Sequence, residues 1–385
     1  MQKLLRNCVL YDPEAALPEP GSLLLDCGRI AARLRPGDPE PEDTEVQDLE
    51  GRILAPGFID LHFHGSTIFQ DAAGLAAGLV ADAASCARHG TTAFLATTVA
   101  EAPALLRDRV EGLGRALAGA SWKGATPLGI HLEGPWIHPE AAGAQPGAGI
   151  RPVNGGEAEE LLALASGLVR LVTLAPELDG GLDLIELLAG RDVVPALGHS
   201  LASAQQVDAA VARGARHVTH LFNAMGPLHH RAPGLAGAAL GDDRLSCDLI
   251  CDGCHVDPRM TRLAARVKGP GLMLITDRID PPDPARGFGS GPLHAAGGAW
   301  HLADGRLAAS RLHLDQAIGN AVAWGAMTHL DAVAACTLQP ARLLGIEAER
   351  GTLRPGARGD LTALDATGRA VTTWVAGEIV HSRDA

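Results

Sequence analysis

Between residues 53 and 277, short apolar runs alternate with longer alanine- and leucine-rich stretches, which leaves the chain few folds to choose from. The first run surrounds Phe58, Ile59 and Leu61, and later ones end near Thr98, Glu133, Glu177, Gly198, His220, Gly253 and Asp277. Helix-like stretches such as 72–89, 103–117, 156–166 and 203–213 separate them. From His62 to Asp277 the spacing averages roughly 31 residues per step, which suits a strand, a crossover helix and a return to a parallel strand. Eight such units over about 290 residues predict an α/β fold, a (β/α)8 TIM-like barrel. A doubly wound sheet would need the same alternation. However, no Gly-x-Gly-x-x-Gly follows the first run, and no Walker-type Gly-Lys-Ser/Thr occurs.

The two chain ends read differently. Residues 4–10, 22–25, 29–34 and 46–54 are short β segments, with an acidic, proline-bearing turn at 36–45. Residues 361–364, 370–375 and 378–381 repeat that pattern at the far end. The expectation is a small β-sandwich domain from residues 1–55 plus 352–385, beside a barrel of residues 56–351.

Composition narrows the partners. Hydrophobic content of 46% with 20% charged residues describes a soluble globular chain. A net charge of −13 argues against nucleic acid and anionic membranes as partners, though not against a small anionic substrate. The N-terminus has no signal-peptide layout, and no apolar run is long enough to span a membrane. Seven scattered cysteines fit a reducing compartment, so a cytoplasmic enzyme is expected. Cys251 and Cys254 form a lone CxxC, read as free thiols. The arginine excess over lysine reads as coding bias and carries no functional weight.

Barrel active sites lie at the C-terminal ends of the strands, and there the polar residues recur. His62 and His64 are two apart on a strand and so face one side; neutral imidazole is a favoured ligand for zinc and similar metals. Later strand ends add Glu133, His199, His220, His255 and Asp277. Each alone could be an ordinary core or rim residue. Their agreement at so many strand ends points to metal-assisted chemistry.

These motifs resemble the amidohydrolase superfamily and, within it, the N-acetylglucosamine-6-phosphate deacetylases. The likeness covers nearly the whole chain: Pro-Gly-Phe-Ile-Asp at 56–60, His-Gly-Thr-Thr at 89–92, His-Leu-Glu-Gly-Pro at 131–135, Leu-Gly-His-Ser at 197–200, Thr-His-Leu-Phe-Asn-Ala-Met at 219–225, Asp-Gly-x-His-Val at 252–256 and Pro-Ala-Arg-Leu-Leu-Gly at 340–345. Most of the superfamily bridges two metals with a carboxylated lysine on the fourth strand, whereas this branch uses a glutamate on the third. Glu133 fits that pattern, and no lysine lies between 171 and 177.

The resemblance implies one or two divalent metal ions, with zinc foremost and iron, manganese or cobalt as alternatives. Glu133, His199 and His220 would hold one ion, and His62 and His64 would complete a second site. Asp277 would be the general base and acid. Gln145, Asn223, the backbone at Ala224, and His255 would meet the substrate. Arg231 would reach the phosphate of a neighbouring subunit's substrate, which requires a homodimer.

Four departures from the family weigh on the substrate. Gly143-Ala144-Gln145 replaces a loop ending in histidine, and Gln145 cannot carry positive charge. The expectation is that a second metal at His62 and His64 takes over part of the carbonyl polarisation. Ala232 replaces a glutamate after Arg231. Arg278 follows Asp277 and would favour its ionised form or bind a substrate anion. Ala309 replaces a glycine and would shift the pocket wall. The leading expectation is a deacetylase of an N-acetyl amino-sugar phosphate. Alternatives are the same hydrolysis on N-acetylgalactosamine 6-phosphate, an unphosphorylated N-acyl sugar or an N-acyl amino acid, and, more remotely, a non-catalytic relative.

Overall fold

The computed structural model describes residues 2–119, 122–285, 287 and 291–383. The chain begins with β1 (Lys3–Leu10), β2 (Glu19–Asp26), β3 (Arg29–Leu34), β4 (Glu45–Asp48) and β5 (Ile53–Pro56). Eight strands follow: β6 (Phe58–Gly65), β7 (Thr91–Thr97), β8 (Thr126–Glu133), β9 (Val169–Leu174), β10 (Val194–Leu197), β11 (His217–Val218), β12 (Ser246–Ile250) and β13 (Leu272–Ile275). Between successive members lie α1 (Leu75–Ala87), α2 (Pro103–Gly119), α3 (Gly155–Leu164), α4 (Gly181–Ala189), α5 (Ala204–Ala212), α6 (Gly234–Gly241) and α7 (Pro258–Lys268). After β13 come β14 (Arg278–Ile279), β15 (Leu293–Ala296), β16 (Ala299–Leu302), β17 (Leu307–Ser310), then α8 (Leu314–Ala323), α9 (His329–Cys336) and α10 (Leu338–Leu343). The last strands are β18 (Leu361–Leu364), β19 (Ala370–Val375) and β20 (Glu378–Ser382).

From β6 to β13 each strand pairs in parallel with the next one in the chain. The helices cover the sheet, so β6 and β7 are buried along their whole length. That is why these strands read as continuous apolar runs. The sheet curls until its two ends touch. Asp277 N–H donates to the His62 carbonyl at 2.9 Å, and the Thr276 hydroxyl donates to the buried Asp60 carboxylate at 2.6 Å.

The strand ends differ in detail from expectation. β9 stops at Leu174, ahead of Pro176, so Glu177 lies in the following loop. Its carboxylate accepts hydrogen bonds from the Ser200 hydroxyl (2.7 Å) and Leu201 N–H (2.6 Å), fastening the loop after His199. The hairpin β15–β16–β17, absent from the sequence reading, joins the curled sheet through β14 and β6. Arg306, at its turn, donates to the Gly143 carbonyl at 2.7 Å.

Both chain ends share a second sheet, ordered β20-β19-β18-β5-β1-β2-β3, with β4 also on β1. It covers a separate core that includes Leu5, Leu23, Ile30, Leu361 and Trp374. The expected strand 46–54 is two strands, because Glu50 and Gly51 take left-handed backbone angles (φ 54° and 78°). β4 then pairs with the start of β1, and β5 with its end. Among the described residues no helix is long and apolar enough to cross a membrane.

Candidate metal centre

Six side chains from five strand ends of the curled sheet meet at one point. His62 and His64 alternate on β6 and turn their Nε2 atoms together, 3.2 Å apart. Each lies 3.3–3.4 Å from a Glu133 oxygen and from Asp277 Oδ1. Glu133 closes β8, and its Oε1 is 3.1 Å from Nε2 of both His199 and His220, which are 3.0 Å from each other. Two trios result, His62–His64–Asp277 and Glu133–His199–His220, each with its ligand atoms within 4.8 Å. All but Asp277 are buried.

The backbone holds this arrangement under strain. His199, His220 and Asp277 have φ of 46°, 34° and 47°, a left-handed region that residues with bulky side chains rarely enter. Such outliers gather where surrounding packing over-determines a functional geometry. Gly198 is needed next to one of them, since a Cβ there would lie 2.7 Å from Thr173 Cγ2.

The donor chemistry fits a divalent cation. A carbonyl only accepts, so the 2.8 Å contact of His199 Nδ1 with the Ala141 carbonyl places the proton on Nδ1. The 3.2 Å contact of His64 Nδ1 with the Thr97 carbonyl does the same. Each Nε2 then presents a lone pair to the centre, the tautomer that metal-bound histidines keep. A tetrahedral shell with bonds of about 2.0–2.1 Å has edges of about 3.3–3.4 Å, close to the 3.0–3.4 Å separations seen here.

Electrostatics point the same way. Burial pulls the His64 imidazole down, but hydrogen bonds to Asp277 and Glu133, with their charges, outweigh it and push it up to about 10. His220 is likewise pulled down by burial and raised, mainly by Glu133, to about 9. Burial pushes Glu133 and Asp277 up, yet the histidines around them hold both well below the usual carboxylate range. The centre requires positive charge, supplied by protons or by a metal.

A cavity of about 150 Å³ opens on this centre, and Gln145, Asn223, Ala224 and His255 also line it. Gln145 spans two groups: its carbonyl oxygen accepts the Ala100 N–H at 2.7 Å, and its NH2 donates to Glu133 Oε2. The Asn223 amide donates to the carbonyls of His220 (3.3 Å) and Leu221 (3.4 Å). His255 Nδ1 is 2.7 Å from the Asp252 carboxylate.

The Amidohydrolase family model matches residues 53–380. The chain belongs to the amidohydrolase family. It is 37% identical to human N-acetylglucosamine-6-phosphate deacetylase, over 89% of this chain and 86% of that protein. It is 34% identical to N-acetylgalactosamine-6-phosphate deacetylase of Escherichia coli O157:H7, over 88% and 91%. It superposes, with a TM-score of 0.87 and 32% identity over 99% of both chains, on a Mycobacterium smegmatis N-acetyl-D-glucosamine-6-phosphate deacetylase mutant in complex with N-acetyl-D-glucosamine-6-phosphate.

Two expectations about this amidohydrolase need correcting. Arg278 does not bear on Asp277, because adjacent residues leave the strand end in opposite directions. Its buried guanidinium meets Asp280, the Ser85 hydroxyl (2.8 Å) and the His313 ring (2.9 Å), and lies 5.2 Å from the Phe63 ring centre. Ala309 is not a cavity wall: it packs in the cluster of Ile68, Leu293 and Leu302 behind the wall, which Val99, Ile279, Leu307 and Ala308 form. Gln145 lines the cavity, and its NH2 gives one N–H to Glu133. Arg231 is exposed, 2.9 Å from His230 Nε2, and lines no part of its own chain's cavity. Ala232 is exposed beside it. The Cys251 thiol is pushed up to about 12 by burial, and neither cysteine of the CxxC belongs to a potential metal cluster among the described residues.

Several supporting groups had no sequence reading. Asp248 accepts the His220 backbone N–H and lies 2.9 Å from His217 Nε2. His131 is held well below its usual range by burial, then by the charge of His62, and contacts the Thr173 hydroxyl at 2.8 Å. His131 stands two residues before Glu133 on β8, the one signal that hinted at it; Asp248, within the apolar run of β12, carries none. The carbonyls of Thr97 and Ala141 carry none, since any residue supplies a carbonyl.

Proposed function

We propose that this amidohydrolase removes the N-acetyl group from an N-acetyl amino-sugar 6-phosphate, giving the free amine and acetate in amino-sugar catabolism. The observation that carries this reading is the pair of trios meeting at Glu133, with Asp277 at the edge of the cavity. N-Acetylglucosamine 6-phosphate is the first substrate to consider. The N-acetylgalactosamine 6-phosphate relative, at 34% identity against 37%, keeps the epimer as a second reading.

Glu133, His199 and His220 would hold one metal, and His62 and His64, beside Asp277, a second. The His and carboxylate set suits zinc first, with iron, manganese or cobalt also compatible. A bound divalent metal lowers the pKa of water from 15.7 towards about 7 and polarises a carbonyl. Asp277, whose carboxyl the positive charge of the centre holds ionised, takes a proton from the attacking water as the new C–O bond forms. It then passes that proton to the amide nitrogen as the C–N bond breaks. Gln145 gives one N–H to Glu133 and its amide cannot carry positive charge, so most of the polarisation of the acyl oxygen would fall to the centre itself. Asn223, Ala224 and His255 would orient the sugar.

Arg231 would bridge to the phosphate of a partner subunit's substrate, making the homodimer the working unit; its exposure supports this. We read the curled sheet as a closed (β/α)8 barrel of residues 56–351, and the sheet shared by both ends as a small β-sandwich of residues 1–55 and 352–385. Seven free thiols support a cytoplasmic setting. Asp277→Asn tests the proton transfer. Turnover should fall about 10²–10⁴-fold with the Glu133 metal still bound, and near-normal turnover would remove the assignment.

A further inference from the structure

A cavity of about 620 Å³ lies at the end of the curled sheet opposite the metal centre. Val169 and Val194, the first residues of β9 and β10, line it, as does Arg216, just ahead of β11. Glu133, His199 and His220 stand at the other ends of the same sheet. The two cavities are therefore separated by the length of the strands.

Arg170, Arg191, Arg216 and Arg342 all line this cavity, and Asp192 is its single acid. Two of the four arginines have identified partners. Arg170 donates to the Leu344 carbonyl beyond α10 at 2.7 Å, capping that helix end, and Arg191 pairs with Glu159 at 2.7 Å. Arg216 and Arg342 have no ion pair among the described residues. Counting Asp192 and Glu159 against the four guanidinium groups leaves two positive charges, on a chain whose net charge is −13. Helix-end neutralisation accounts for Arg170, which touches the carbonyl it caps. Arg342 also sits in the last turn of α10 and favours that helix end, which leaves Arg216 without a role.

We propose that this cavity is a second binding site, for a small metabolite carrying two or more phosphate charges. Guanidinium groups grip phosphate with paired hydrogen bonds and keep their charge at any physiological pH. The volume lies within the range of small-molecule sites. Nucleic acid is a poor occupant, because the chain's net charge of −13 repels a long polyanion.

The test is calorimetric titration of metal-loaded enzyme with inorganic pyrophosphate, on wild type and on an Arg216→Ala/Arg342→Ala double variant. Both residues are exposed, so the variant should keep the wild-type melting temperature and deacetylase rate. Affinity should drop at least tenfold in the variant, and ADP or fructose 1,6-bisphosphate should compete for the wild-type site. Pyrophosphate held only by the metal centre would bind both proteins equally, which would overturn the proposal. Competition by neither metabolite would overturn the assigned ligand class.

Discussion

Replacing Gln145 with leucine removes the side-chain bridge between Ala100 and Glu133. The Ala100 N–H needs an acceptor and takes the Gln145 oxygen at 2.7 Å, so the amide nitrogen must face Glu133. Leucine keeps a similar volume and loses both contacts. A hydrogen bond to a charged group contributes about 1.5–3 kcal/mol, equivalent to about 10–150-fold in a binding constant. Groups that orient a metal-bound side chain are independently worth about 10–100-fold in metal affinity. Zinc affinity of Gln145→Leu should therefore fall about 10–100-fold, read by competition with a chelator of known affinity. Ala100 is fully buried, so its orphaned N–H should also lower the melting temperature of the metal-free protein, a cost separable from the metal effect. Affinity within twofold of wild type would refute the view that Gln145 orients Glu133.

The remaining predictions concern pH and subunit sharing. In metal-free protein His64 and His220 are raised to about 10 and about 9, above the ordinary value near 6.5 that they regain on unfolding. Their contribution to stability is thus complete below about pH 6.5 and is lost as pH rises towards about 10. Thermal melts of chelator-stripped protein should show that decline, and melts of zinc-loaded protein should not follow it. A flat metal-free profile would contradict the electrostatics of the centre. Mixing inactive Arg231→Ala and Asp277→Asn proteins should restore activity through mixed dimers, and no recovery would place Arg231 outside the shared site.

Much of this was legible because the barrel-like pattern is repetitive. β6 and β7 are buried on both faces and the other strands of the sheet nearly so, which leaves continuous apolar sequence. The proposed ligand positions are legible in the period-two alternation of His62 and His64 and in polar residues ending apolar strands. Loop geometry was not legible. Gln145 meets Glu133 only because the chain turns back through Gly143, whose φ is 58°, and no periodicity encodes that return. The place of Arg278 was not legible either, because a residue adjacent to Asp277 in sequence turns its guanidinium away, to Ser85 and Asp280. The hairpin β15–β17 escaped notice because its short strands are alanine- and histidine-rich and carry no β-branched residues.

The most direct test is acetate release from N-acetylglucosamine 6-phosphate by protein of measured zinc content, with N-acetylglucosamine and N-acetylgalactosamine 6-phosphate alongside. Metal-dependent turnover with strong preference for a phosphorylated sugar is the predicted result. No release from any of the three by zinc-loaded protein would contradict the deacetylase assignment.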